Sequence, residues 1–136
     1  GKLVARAMTR PAAILFAVLA VSAAPPPGDP VRAGLAAFAA GDLAAAERHF
    51  EAAAEHTADP GLVAFNRAAV AARRSDWRAA EVGYLQALDD AECPPRRRAE
   101  ATYNRGVCLL HRGGPAAAYR TAIDLFASAA EQLGDD

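Results

Sequence analysis

Three histidines, two cysteines and a run of three arginines are the residues of this chain whose types could carry chemistry. His49 and His56 lie seven positions apart with Glu55 beside them, and His111 stands far downstream. On a helix that separation is two turns, roughly 10 Å, so the imidazoles share a face without reaching one ion. A helical zinc pair needs i, i+4 spacing, as in His-Glu-x-x-His. The spacing therefore predicts solvated helix residues and no metal. Cys93 precedes Pro94-Pro95 in a loop, while Cys108 falls within a helical pattern. From Arg96 to Cys108 the helix rises roughly 18 Å, whereas a disulfide needs Cα atoms within about 7 Å. Both thiols are expected to be free, Cys108 as a small core residue and Cys93 exposed or half-exposed. Ser75 belongs to a turn, and neither it nor Ser128 sits in a Gly-x-Ser-x-Gly elbow. Lys2 is the only lysine, so no glycine-rich phosphate loop ends in Lys-Ser or Lys-Thr. Asp89 and Asp90 close a helix and read as solvated. The expectation is a protein with no catalysis, no cofactor and no metal.

What remains is recognition chemistry. Arg96-Arg97-Arg98 forms a basic run, joined by Arg67, Arg73, Arg74, Arg78 and Arg105. It reads as a solvated face paired with Glu81, Asp89, Glu92 and Glu100, or as a patch that binds an acidic tail.

The elements that position these residues are helices. Of the 136 residues 38 are alanine and only 7% are aromatic. Alanine enters a helix at the least cost and is depleted in strands, so a β-sandwich, a barrel or a disulfide scaffold is excluded.

The first segment reads as an address. Lys2, Arg6 and Arg10 precede an acid-free apolar run from Ala12 to Ala24, 13 residues long. A membrane span needs roughly 20 apolar residues, and this run has the length of a signal-peptide core. Val21-Ser22-Ala23 offers small residues for cleavage after Ala23. Residues 1–23 are expected to be a signal peptide or an uncleaved membrane anchor, with membrane contact through residues 11–24 only. Residues 24–30, with Pro25-Pro26-Pro27-Gly28, form a stiff linker. Beyond residue 23 the chain carries 12 basic and 16 acidic side chains, a charge of −4. That suits an exported, periplasmic or envelope-associated domain and disfavours nucleic acid.

The rest repeats. Asp42, Ala46, Phe50 and Ala53 recur 34 positions later as Asp76, Ala80, Tyr84 and Ala87. The small-aromatic-small spacing returns at Ala122, Phe126 and Ala129. Phe65-Asn66-Arg67-Ala68 matches Tyr103-Asn104-Arg105-Gly106 at an offset of 38. Leu43, Ala46, Phe50, Ala53 and Ala54 make an apolar stripe of period 3.6. Asp59 before Pro60 reads as a helix cap, Ser75 or Asp76 caps the helix that begins at Trp77, and Gly41 and Gly113 suit left-handed helix ends. The spacing predicts helices at 31–39, 43–56, 61–73, 77–90, 96–112 and 116–133. Phe50, Tyr84 and Phe126 should each lie between adjacent helices, and Ala68 and Gly106 should pack against the second helix of their own unit.

This pattern resembles the tetratricopeptide repeat (TPR), a helix-turn-helix unit. Gly34, Ala68 and Gly106 match its small residue in the first helix, and the stripes above match its second helix. The resemblance implies an all-α fold, a right-handed solenoid of three repeats at about 31–58, 61–91 and 96–133, within a domain spanning 31–136. It also implies a concave face lined by the first helices, which places Phe65, Asn66, Arg73, Tyr103 and Asn104 in or near a groove for a peptide or partner protein. The peptide-tail clamp known in some members is incomplete, because Val31, Leu35, Tyr103 and Val107 occupy its other positions. The chain is also similar to exported bacterial TPR proteins encoded with von Willebrand A-domain membrane proteins in aerotolerance-type operons. The expected function is thus a non-catalytic interaction scaffold, with an accessory domain of a larger envelope enzyme as the alternative.

Overall fold

The computed structural model describes residues 28–134. Residues 1–23, and with them the expected signal or anchor, lie outside the described residues, as does most of the linker. Six helices follow in order: α1 (Pro30–Ala39), α2 (Leu43–Ala54), α3 (Pro60–Arg73), α4 (Trp77–Asp89), α5 (Pro95–Arg112) and α6 (Ala116–Gly134). Among the described residues there is no strand, and no helix is long and apolar enough to cross a membrane.

Aspartate starts four of the six helices. Asp29, Asp42, Asp59 and Asp76 accept the backbone N–H of Val31, Ala45, Leu62 and Ala79 at 2.9, 3.0, 3.0 and 3.2 Å. Each satisfies a donor that the first helical turn leaves orphaned. Pro30 and Pro60 follow directly, where their missing N–H costs nothing. The end of the expected linker is thus already part of α1. The two turns inside the first and second units are copies of one another. Asp42 N–H reaches back to Ala37 O and Asp76 N–H to Ala71 O, both at 2.9 Å, closing the preceding helix. The left-handed residue in these turns is Gly41 (φ 81°) in one and Ser75 (φ 60°) in the other.

Packing is local. Each helix lies against the next in chain order, and α1 also touches α3. Close approach depends on the small residues. A Cβ added at Gly34 would lie 2.5 Å from the Phe50 ring, and one at Gly106 would lie 2.7 Å from the Phe126 ring. In the middle unit Ala68 takes that place, and its Cβ lies 2.7 Å from where Gly83 would carry one. Phe38, Phe50, Val63 and Val70 build one cluster with Ala46, Ala53 and Ala69; Phe65, Tyr84 and Cys108 build the next with Ala68, Ala80, Ala87 and Ala101. Ala122 and Ala129 are buried in α6. Phe126 is only half-buried, against the expectation, because no described helix follows α6 to cover it.

The joints between units carry a recurring charge contact. Glu47 of α2 binds Arg74, which caps the end of α3, and Glu81 of α4 binds Arg112 and Arg105 of α5. Glu47 and Glu81 are 34 positions apart, and Arg74 and Arg112 are 38 apart. The matching position in α6 is Ile123, which is exposed.

The glycines give a contrast to test. At Gly83 a new Cβ would meet Ala68 Cβ and, at 3.1 Å, the Ala64 carbonyl oxygen. Backbone cannot step aside, so α3 and α4 must separate. Gly83→Ala is expected to lower stability by about 1–2 kcal/mol, the overpacking loss exceeding the ~1 kcal/mol gained in helix propensity. At Gly106 the nearest atoms to a new Cβ belong to the half-buried Phe126 ring, which can swing, so Gly106→Ala should be neutral or slightly stabilising. Urea unfolding followed by circular dichroism separates the two.

Candidate functional site

Two of the concavities on the described surface bear on a binding site. One is a groove of about 370 Å³ over α3, between α2 and α4. Its floor is Ala64, Ala68, Ala71, Ala79 and Gly83. Its charges are already engaged: Arg74 with Glu47, Arg67 with Glu51 at 3.6 Å, and Asp76 as the cap of α4. Such a groove offers no anchoring pocket and no charge free to recognise a partner.

The second is a cleft of about 90 Å³ between α1, α3, α4 and α5. A space of that size suits one aliphatic side chain. Phe38, Trp77, Tyr84 and Val107 form its apolar walls, with Ala69, Ala72 and Cys108. Arg73, Asn104 and His111 supply its polar groups. The His111 ring stacks on Trp77 with centroids 4.0 Å apart and planes 9° from parallel. The Arg73 guanidinium lies 5.2 Å above the Phe38 ring. Asn104 lies beside the Tyr84 phenol in the cleft lining, and burial pushes that phenol well above the usual tyrosine range. Burial likewise raises the Cys108 thiol to about 11, so it is inert at neutral pH. Mostly apolar walls with a few fixed polar groups are what a side-chain pocket requires.

The structure brings Arg73 and Asn104 of the expected groove residues into this cleft and places the other three elsewhere. Phe65 is 2% exposed and packs edge-on against Tyr84, ring centroids 5.5 Å apart. Asn66 is 1% exposed, and neither its amide nitrogen nor its oxygen has a partner. The expectation that Asn66 faces a groove is therefore corrected. The cause is position: α3 is the central helix, touched by α1, α2 and α4, and its first half is buried on nearly every side. Asn104 escapes this and lies beside Tyr84. The residue at Tyr84's place one unit earlier is Phe50, which has no hydroxyl. Tyr103 is exposed but leans on Phe126 of α6, centroids 5.0 Å apart, away from the cleft lining.

Two further expectations change. Arg97 is not part of a solvated run: it is 1% exposed and donates to both carboxylate oxygens of Asp59, at 3.0 and 2.8 Å. Cys93 is buried, because its loop folds back with Cys93 N–H on Asp90 O; burial raises its thiol above the usual range. Both cysteines are free. Phe38 and His111 were invisible as site residues because their partners, Arg73 and Trp77, lie 35 and 34 positions away in the chain. The 34-residue repeat was the available signal: Trp77 stands where the first unit has Leu43, an aromatic surplus at one joint. No family model, curated protein or solved structure matches this chain.

Proposed function

We propose that this chain is an exported, three-unit TPR-type solenoid that binds a peptide segment of another protein and has no catalysis of its own. The observation that carries the reading is the cleft at Phe38, Trp77, Tyr84 and Val107, an apolar side-chain pocket with Arg73, Asn104 and His111 at hand. In a right-handed array it falls on the concave side, where the first helices of successive units face a ligand. Asn104 retains hydrogen-bonding capacity beyond its contact with Tyr84, enough to hold an extended peptide backbone. The location is the cell envelope, and the partner class includes von Willebrand A-domain membrane proteins.

The test is co-purification of tagged full-length chain from its native host, in parallel with Val107→Asp. Val107 is half-buried on α5, so a carboxylate there fills the cleft while leaving the main clusters in place. Mass spectrometry should find a partner with the native chain, depleted at least tenfold with the variant, while the two melting curves agree within a few degrees. Equal recovery with both would remove the cleft from the reading.

A further inference from the structure

Resting on that reading, we propose that the cleft selects an acidic peptide segment, one aliphatic side chain flanked by carboxylates. Charge complementarity selects this occupant. None of the ten residues that line the cleft is aspartate or glutamate, and Arg73 is their one permanently charged group. Most of the arginines on α5 and on or just after α3 are already engaged. Arg67, Arg74, Arg105 and Arg112 turn to glutamates of α2 and α4, and Arg97 is bound to Asp59. Arg73, one position before Arg74, turns the other way. Among the described residues it makes no ion pair and donates no hydrogen bond; its contact is the Phe38 ring. Stacking on an aromatic face restrains the guanidinium beside the pocket mouth and leaves its donors for a planar acceptor, which a carboxylate matches bidentately. The apolar walls take the aliphatic side chain, and Arg73 takes the neighbouring acid.

Trp77 is the single tryptophan of the chain and lines the cleft, so its emission reports occupancy directly. The probes are three capped heptapeptides with a central Asp-Leu-Asp, Lys-Leu-Lys or Asp-Ser-Asp, titrated into the full chain at low ionic strength. The Asp-Leu-Asp peptide should shift Trp77 emission and bind about fivefold or more tighter than Lys-Leu-Lys, the gain of an ion pair at the exposed limit of ~1 kcal/mol. Asp-Ser-Asp should give no saturable shift. In Arg73→Gln, with an unchanged melting curve, the preference for acid should fall below twofold, and added salt should erase it in the native chain. Equal binding of the acidic and basic peptides, a preference that survives in Arg73→Gln, or silence of Trp77 toward every peptide would each overturn the proposal. The cleft itself is judged separately, by recovery of the native partner with Val107→Asp.

Discussion

Replacing Phe50 by alanine is expected to lower the unfolding free energy by about 3–5 kcal/mol, enough to unfold a domain of ordinary marginal stability. Phe50 is 1% exposed and joins α1, α2 and α3 through Phe38, Val63 and Val70. The loss should fall at the upper end because of what surrounds the ring. Gly34 lies beneath it, and Ala46, Ala53 and Ala69 share its cluster. Side chains this short have no rotamers with which to refill a cavity, so the void persists and its lining loses contacts outright. The same truncation at Phe126, which is half-buried, removes less surface from water and should cost about 1–2 kcal/mol. Paired urea unfolding curves test both the magnitude and the order. Equal losses at the two positions would mean that the outer face of α6 is covered in solution.

The helices and their register were legible in the sequence because their causes are local. Aspartate before a helix start, proline at the first position and a stripe of period 3.6 act within a few residues. Accordingly, all six helices begin within one residue of where the spacing puts them, and α2 loses only its frayed end at Glu55 and His56. The small-residue contacts at Gly34, Ala68 and Gly106 were legible for the same reason, since a repeat writes one packing solution three times. The site was less so. Asn66 reads as a surface residue by type, yet the burial of α3 depends on three other helices. Arg97 sits between two arginines that do reach solvent, and only the arrival of Asp59, 38 positions earlier, distinguishes it. The Trp77–His111 stack is likewise a meeting of two helices, with nothing local at either residue to announce it.

Asp59→Ala is expected to cost about 3–5 kcal/mol, and Arg97→Met only about 1 kcal/mol. The asymmetry follows from burial. The Arg97 side chain is 1% exposed, whereas that of Asp59 is 41% exposed. Removing the acid takes both hydrogen bonds from a guanidinium in the interior and leaves it only the longer ion pair with Asp90, at 4.0 Å, beyond hydrogen-bond distance. It also removes the cap of α3, a loss of about 1 kcal/mol on its own. Removing the base leaves a carboxylate that water can solvate and that still caps Leu62. The pair also gives acid sensitivity with a defined sign. Partial burial raises the Asp59 carboxyl, but the Arg97 and Leu62 hydrogen bonds and the Arg97 charge outweigh it, so its pKa lies below the ordinary 3.8. The contribution is therefore complete above pH 3.8 and disappears as pH falls through the lower, folded value. Between pH 5 and 2.5 the native chain should lose stability more steeply than Arg97→Met, in unfolding curves taken at fixed salt. The consequence reaches the cleft. Asp59 stands at the start of α3 and Arg97 in the first turn of α5, and the later turns of these helices carry Arg73 on one side and Asn104, Val107 and His111 on the other. The pair ties the start of α3 to the first turn of α5 and so adds to the packing of both helices on α4 in holding the two walls of the pocket. Asp59→Ala held folded at low temperature should thus weaken binding of the Asp-Leu-Asp peptide, although neither Asp59 nor Arg97 lines the cleft.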